Sequence, residues 1–388
     1  MPWKETSAMD QRVQFIGDWL SGRYTKIDLC DFYGISRPTG DKWIERYQQF
    51  GLDGLKELSR AAQHHPNSVG AEMRELIVQY KLRHQHFGPK KVLDGLRREN
   101  PNVGWPADST AGEILKRAGL VGARRRRRRV PPHSVPLAHC DAANAVWSAD
   151  FKGDFELGNG RRCYPLTISD NFSRYLLQCR GLTRTTWPEV HPWFEWVFRE
   201  YGLPQAIRTD NGPPFASLAL GGLSQLSAWW IRLGIRPERI EPGRPDQNGR
   251  HERMHKTLKQ ATVVPPADTL EGQQRRFNAF VTEYNLERSH ESLGRRTPSE
   301  LYTTSGMCYP AKLAKVEYEP TITVRKVRHN GEIKWKGSLI YVSELLAKEP
   351  LGLSQIDEFK WEIRYSFHLL GVLDERNHKI NSPDLWHG

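Results

Sequence analysis

VWSADFKGDFELGNGRRCYPLTISDNFSRYLLQCRGL, residues 146–182, is the stretch that decides the fold class of the central part of this chain. Its apolar segments predict three β-strands, with turns at Gly158-Asn159-Gly160 and near Asn171. Helical and strand-like segments alternate after it, up to a helix over residues 248–261 that Asn248 opens. This order predicts a mixed α/β domain with helices flanking the sheet.

Length and charge limit the number of domains and the kinds of binding partner to be expected. The chain has 388 residues and a formal net charge of +12, enough length for several domains. Residues 1–140 hold 24 Lys and Arg against 15 Asp and Glu, a net charge of +9, which leaves +3 for the rest. This front-loaded positive charge favours a polyanionic partner, nucleic acid before membrane. The sequence contains neither an apolar stretch long enough to span a membrane nor the pattern of a secretory signal. We therefore expect a soluble, cytoplasmic protein without a membrane partner.

The N-terminal part, residues 1–62, has the pattern of a helix-turn-helix DNA-binding domain. Two short helical segments meet at Gly34, and the second is basic on its outer side. The second helix of such a motif enters the major groove, so we predict that Arg37, Lys42 and Arg46 contact DNA. An ordinary helical hairpin with a solvated charged face would show the same pattern.

Residues 66–122 predict a second all-α DNA-binding unit of three helices, and residues 123–142 predict a linker. The linker contains six consecutive guanidinium groups, which repel one another and cannot pack together. We predict that they lie along phosphates, releasing counterions on binding, although a merely solvating linker is the alternative. These residues are Arg124, Arg125, Arg126, Arg127, Arg128 and Arg129.

The C-terminal part, residues 312–388, changes to short alternating segments. A turn at His329-Asn330-Gly331 precedes the hairpin sequence EIKWKGSLIYV, and WEIRYSFHLLGVLD adds further strands. We expect a small β-barrel here.

Three acidic residues stand at the ends of predicted elements, beside turn residues. Asp150 lies on the first strand, Asp210 follows a later strand, and Glu252 lies at the start of the helix. Asp154 and Asp170 are alternatives for the first place. Three carboxylates without cysteine suit hard ions such as Mg²⁺, and two such ions can stabilise both the entering and the leaving oxygen of a phosphodiester.

Basic residues follow Glu252 on the same helix. Lys259 is seven residues further on, two turns away on the same face, with His255 and Lys256 between them. We predict that His255, Lys256 and Lys259 contact a DNA phosphate beside the acids. A solvated surface stripe is the alternative.

Residues 145–305 resemble the catalytic core of insertion-sequence transposases, of the insertion-sequence family 481 type, which is similar to that of retroviral integrases. Five segments agree with that core in order, namely WSADFKG, ISDNFSRY, IRTDNGPPF, PGRPDQNGRHERMHKTLK and YNLERSHESLGRRTPSELY. The resemblance implies a ribonuclease-H-like core over residues 143–305 that uses two Mg²⁺ (or Mn²⁺) ions. It also implies an Asp-Asp-Glu triad at Asp150, Asp210 and Glu252, as both catalytic residues and metal ligands.

The resulting expectation is a bacterial, nucleoid-associated DNA transposase. It would bind the terminal inverted repeats of a mobile element, cleave at the 3′ ends and transfer them to target DNA as at least a dimer, with no covalent enzyme intermediate. A non-catalytic helix-turn-helix regulator would need no triad. A plain metal-dependent nuclease would cleave DNA without joining it.

Overall fold

The computed structural model of this chain describes residues 7–58, 68–121, 140–217, 219–240 and 249–381. The six linker arginines, Arg124 to Arg129, and Asn248 lie outside these ranges. The chain divides into two compact units, Met1–Val69 and Gly70–Gly388. Within the described ranges no helix is both long and apolar enough to cross a membrane.

The first unit consists of three helices and a short 3-10 turn around one apolar core. Ser7 and Thr25 each form a capping box at a helix start, with Asp10 and Asp28 as the reciprocal partners, which satisfies backbone N–H groups there. Phe15 is buried in the core. The elements are α1 (Ala8–Leu20), α2 (Lys26–Phe32), α3 (Arg37–Phe50) and the turn Gly51–Leu55.

Gly40, which has no side chain, allows α2 and α3 to pack closely. A Cβ atom at this position would lie 2.6 Å from the Cys30 sulfur and 3.2 Å from the Phe15 ring, so no larger residue fits without movement. The predicted helix-turn-helix arrangement of α2 and α3 is therefore held by direct backbone-to-side-chain packing.

The second unit begins with the three-helix bundle that the sequence predicts within residues 66–122. Its core includes Tyr80, whose hydroxyl would clash with a Cβ at Gly95, so the tyrosine ring packs directly on the backbone of the helix that contains Gly95. The bundle also contacts the segment after the core domain's last helix, through Arg295. Its helices are α4 (Ala71–Arg83), α5 (Pro89–Glu99) and α6 (Asp108–Arg117).

The predicted mixed sheet forms the centre of the second unit. Strand β1 pairs antiparallel with β3 and parallel with β5, β4 pairs antiparallel with β3, and β5 pairs parallel with β6. The short β2 pairs with the start of β3. The strands are β1 (Val146–Phe151), β2 (Phe155–Glu156), β3 (Arg162–Asp170), β4 (Leu176–Leu182), β5 (Ala206–Thr209) and β6 (Arg236–Arg239).

Helices cover both faces of this sheet. Phe194 and Trp230 belong to the apolar core on one face, and Leu258 and Phe277 belong to the core on the other. Because both faces are covered, strands β3 and β4 are buried along most of their length. The helices are α7 (Trp187–Tyr201) and α8 (Gln225–Arg232) on the first face, and α9 (Gly249–Thr262) and α10 (Leu270–Thr282) on the second.

The C-terminal strands differ from the expected β-barrel. They form an open five-stranded antiparallel sheet in the order β13-β12-β11-β10-β7, and the hairpin β8-β9 is a separate sheet. Among the described strands β7 and β13 remain edges, so no closed barrel forms. The strands are β7 (Thr323–Lys326), β8 (Glu332–Trp335), β9 (Ser338–Tyr341), β10 (Pro350–Asp357), β11 (Lys360–Tyr365), β12 (His368–Asp374) and β13 (Lys379–Asn381).

The reason for the open sheet is that its apolar face is covered in another way. Trp335 of the hairpin packs into the same core as Leu353 and Ile363 of the five-stranded sheet. Leu223 and Ile231, from α8 and the loop before it, complete that core. The hairpin and the helix already shield much of this face from water, so burial of this core does not require closure.

Candidate active site

The ends of strands β1 and β5 bring two of the predicted acids to one edge of the sheet. The parallel register pairs Trp147 with Ile207 and Ser148 with Arg208. The pairing ends there; Asp150 lies two residues further along β1, and Asp210 is the first residue after β5. Since the carboxyl ends of parallel strands lie at the same edge of a sheet, both acids belong to this edge.

Asp210 lies in a tight turn directly after β5. Its Oδ1 accepts a hydrogen bond from the Gly212 backbone N–H at 3.1 Å, and Asn211 donates its side-chain amide to the Ile240 carbonyl at 2.8 Å. A Cβ at Gly212 would lie 3.3 Å from Asp210 Oδ2. The turn therefore holds an exposed carboxylate at the carboxyl end of the sheet.

Helix α9 packs its histidines onto the same strands. His251 and His255 are one helical turn apart and are both buried, with their rings in edge-to-face contact at 4.6 Å. Glu252 lies between them in the chain and is exposed, as are Lys256 and Lys259. The helix thus presents imidazoles to the sheet and the predicted third acid to solvent.

Thr167 of β3 connects this helix to Asp150. It is the cross-strand partner of Asp150, and its hydroxyl donates to the Asp150 carbonyl at 3.0 Å. The same hydroxyl lies 2.7 Å from Nε2 of His251 and 2.7 Å from Nε2 of His255. His255 Nδ1 lies 3.9 Å from Asp150 Oδ2.

Both imidazoles are neutral. Burial lowers the pKa of His251 to about 3. Burial, with smaller contributions from His251 and Lys152, lowers the pKa of His255 to about 2. Neutral imidazole is the form that binds metal ions.

One group of possible metal ligands in the described part of the chain is compact. Asp150, His251 and His255 each offer a ligand atom, and these atoms lie within 4.8 Å of one another. Asp210 and Glu252 do not belong to this group. The sequence predicts a triad of acids. In the structure only one of them, Asp150, lies close to the two histidines, and neither histidine belongs to the predicted triad.

The alternatives to Asp150 have other contacts. Asp154 is paired with Arg162 on the sheet edge. Asp170 is buried and accepts hydrogen bonds from the backbone N–H groups of Asn144 and Ser173, and burial raises its pKa. Both environments are those of structural carboxylates.

The predicted DNA contacts are placed unevenly. Arg37 and Lys42 are exposed on α3. The Lys42 ammonium and the Arg46 guanidinium both lie over the Trp43 ring, at 5.1 and 4.8 Å, and Arg46 also donates to the Lys56 carbonyl at 2.7 Å. Lys256 and Lys259 are exposed on α9. His255 differs from the expectation, because it faces the sheet and is only 5% exposed.

His251 and Thr167 are site residues that the sequence reasoning missed. The signal for His251 was present, because Met254 and Leu258 mark the inner side of α9 and residues at i−3 and i+4 share their face. That stripe contains His251 and His255. Thr167 carries no such signal, since only the pairing register of β1 and β3 brings it to Asp150.

Comparison with known proteins gives the family. Models of the integrase core domain match residues 141–245 and 233–298, and a helix-turn-helix domain model matches residues 11–62. An insertion element IS476 protein from Xanthomonas euvesicatoria is 30% identical over 251 residues, which cover 63% of this chain and 70% of that protein. The chain belongs to the insertion-sequence transposases with an integrase-like core.

This transposase is also similar to a second insertion element protein and to a retroviral integrase core. An insertion element IS407 protein from Burkholderia multivorans is 28% identical, covering 63% of this chain and 87% of that protein. The HTLV-2 integrase catalytic core domain, solved in complex with magnesium, is 17% identical with a TM-score of 0.34, covering 42% of this chain and 98% of that chain.

Family membership fixes the coarse properties of this transposase. Its core has the integrase, ribonuclease-H-like fold and belongs to the polynucleotidyl transferase superfamily. The helix-turn-helix and integrase domains imply that it binds DNA. Integrase-like cores use divalent metal ions, and the group of Asp150, His251 and His255 is one that could hold such an ion.

Proposed function

We propose that this protein binds the terminal inverted repeats of its own mobile element, cleaves the 3′ ends and transfers them into target DNA. The observation that carries the proposal is the parallel pairing of β1 with β5, because Asp150 lies near the end of β1 and Asp210 directly follows β5. Two carboxylates at adjacent strand ends, with a third from the exposed Glu252 of α9, would supply the ligands that phosphoryl transfer assisted by metal ions requires.

The donor set fits Mg²⁺ or Mn²⁺. Asp150, Asp210 and Glu252 offer only carboxylate oxygens, and water and substrate phosphate complete the shell of such hard ions. These three residues would hold two ions, as metal ligands and catalytic residues together. When bound, the ions stabilise charge on the entering and leaving oxygens and lower the pKa of an attacking water.

The chain's own residues orient the DNA. Lys256 and Lys259 lie exposed on α9, one and two turns beyond Glu252, where each ammonium group can hold a backbone phosphate. Water is the nucleophile in end cleavage and the freed 3′-hydroxyl is the nucleophile in strand transfer. Both reactions are direct displacements at phosphorus, so no covalent enzyme intermediate forms.

Recognition of the element ends falls to the helical units. Arg37 and Lys42 project from α3, the second helix of the helix-turn-helix. Helix α3 would enter the major groove, and the linker arginines 124 to 129 would follow the phosphates. Two ends must be joined to one target, so the active form is at least a dimer on DNA.

A strand-transfer assay with end-labelled DNA from the flanking repeats tests the proposal. We expect Mg²⁺-dependent joining by the wild-type protein, and loss of cleavage with retained DNA binding in the D150N, D210N and E252Q variants. The matched control is D154N, a nearby carboxylate paired with Arg162, which should still join DNA.

The outcomes separate the rival functions. A triad variant that still cuts DNA removes that residue from the triad. Nicking without joining by the wild-type protein would make it a nuclease, and binding without nicking would make it a regulator.

A further inference from the structure

Helix α9 carries two basic edges on its exposed side. Residues three or four apart share an edge of a helix, so Glu252, Lys256 and Lys259 lie along one edge. Arg250 and Arg253, three residues apart, lie along the other edge, and both are exposed. The proposed reaction uses the first edge only.

The turn between β3 and β4 adds a third guanidinium group to the second edge. Arg174 donates from Nη1 to the Asn171 carbonyl at 2.9 Å, and Arg250 donates from Nη1 to the same oxygen at 3.2 Å. Burial, followed by the charge of Arg250, lowers the pKa of Arg174 to about 10. Arg174 also has a left-handed backbone conformation, with φ 67°, which strains a residue that has a side chain. The turn therefore holds two like charges together despite repulsion and backbone strain.

More positive charge lies close to these arginines, around the half-buried His290. Burial and the surrounding charges together lower the pKa of His290 to about 3. Those charges belong to Lys91, Arg288, Arg174 and Arg253. Nη1 of Arg288 is buried and has no hydrogen-bond acceptor within the part of the chain that the structure describes. The region therefore carries an excess of positive charge.

The carboxylates nearby do not neutralise the arginines of this edge. Within the described ranges no carboxylate forms an ion pair with Arg174, Arg250 or Arg253. Asp170 acts on Arg174, but its two oxygens already accept hydrogen bonds from Asn144 and Ser173. The three guanidinium groups are therefore available to an anion from outside the chain.

We propose that Arg174, Arg250 and Arg253 bind one backbone phosphate of the element DNA. Guanidinium groups match phosphate oxygens with paired hydrogen bonds. This phosphate differs from those at Lys256 and Lys259, on the other edge. A helix with its side chains is only about 10–12 Å across, and duplex DNA carries one phosphate for about every 1.7 Å of its axis, so one duplex can contact both edges. The inference rests on the proposed function for the identity of the DNA.

The salt dependence of DNA binding by the full-length protein, measured without divalent metal so that the DNA stays intact, tests this site. For a duplex carrying the flanking repeat, we expect R253Q to bind more weakly, with a slope of log K against log salt about 1 unit shallower than that of the wild type. R253K should keep most of the slope, because lysine retains the charge. The control is R199Q, which removes the same charge from α7 on the other face of the sheet and should keep the wild-type slope.

Phosphate ethylation identifies the contact itself. Ethylating one phosphate of the duplex should weaken binding by the wild type, and the same modification should no longer weaken binding by the R250Q/R253Q double variant. If R253Q does not fold, R250Q, at an equally exposed position, gives the salt comparison.

Equal slopes for the wild type and R253Q, or equal decreases for R253Q and R199Q, would overturn the site. Unchanged DNA slopes together with a loss of inorganic phosphate binding in R253Q would assign the arginines to a free anion and overturn the proposal for DNA. Because binding without metal needs no reaction, a protein that shows the expected slopes but joins no DNA would refute only the proposed function.

Discussion

Arg295 and Asp94 join the α4–α6 bundle to the core domain. Arg295 Nε donates to Asp94 Oδ1 at 2.8 Å, and the same guanidinium contacts Asp108 at 2.9 Å. Asp94 is buried and also accepts a hydrogen bond from Ser289 at 2.6 Å. The bundle is thus fixed to the core domain by a buried carboxylate, which would be costly to leave without these hydrogen-bond donors.

Replacing Arg295 with Met should loosen the bundle. The change leaves the buried Asp94 carboxylate short of a donor, which costs about 1–3 kcal/mol. Hydrogen exchange should become faster across α5 and α6. The control is R162A, which removes a more exposed ion pair and should change stability by less than about 1 kcal/mol. Equal protection of α5 in R295M and wild type would contradict the anchoring role.

Lys91 makes the contact between the bundle and the core domain sensitive to pH. Burial, together with Arg288, lowers the pKa of Lys91 to about 8 despite the nearby Asp94 and Glu291. Its ammonium donates to the Ser289 carbonyl. The ordinary pKa is 10.5, so between about pH 8 and 10 the unfolded chain binds more protons than the folded one.

The free energy of local unfolding at α5 should therefore rise with pH from about 8 to 9.5, by no more than about 1.4 kcal/mol per pH unit. Hydrogen exchange of α5 amides at several pH values measures this slope after correction for intrinsic exchange rates. In the K91M variant the slope should disappear. Absence of a slope in the wild type would show that Lys91 stays charged when folded.

Gly40 provides a stability test of the helix-turn-helix. Ala at this position would place its Cβ 2.6 Å from the Cys30 sulfur, so we expect a loss of about 1–3 kcal/mol from overpacking. Ala at Gly17, inside α1 and with no other described residue within 4 Å of its Cβ, should instead stabilise the protein by about 0.5–1 kcal/mol. Thermal unfolding of the two variants should shift in opposite directions; equal shifts would contradict the close α2–α3 contact.

The sequence predicts those parts of the fold that depend on local patterns. The periodicity around Trp43 and the alternation in VWSADF depend on a few neighbouring residues, and they predict the helix-turn-helix and the strands that the structure has. Closure of a barrel depends on whether β7 pairs with β13, far apart in the chain. No local pattern encodes this pairing, and the expected barrel is not found.

The candidate site shows the same division. Motif order points to Asp150 and Asp210, whereas the compact group of possible ligands in the described residues contains Asp150 but not Asp210. Spacing alone places Glu252, His255 and Lys259 on one stripe of α9, yet the structure turns His255 inward. Which edge of such a stripe is buried depends on the strands beneath the helix, so the Thr167 contact could not be predicted.

The absence of a Cβ atom at Gly212 leaves room for the Asp210 carboxylate, on which the proposed reaction depends. Ala at this position would put a Cβ 3.3 Å from Asp210 Oδ2, tighter than ordinary contact, while the backbone N–H still holds Oδ1. The carboxylate must shift by a few tenths of an ångström, so we expect the strand-transfer rate to fall, though by less than the roughly 100-fold that a 1 Å misplacement can cost. The control is G249A, at the start of α9 with no atom of the described residues within 4 Å of the added Cβ, which should react normally. Single-turnover joining rates measure the effect; a G212A rate equal to that of wild type would mean that the reaction does not depend on the position of Asp210.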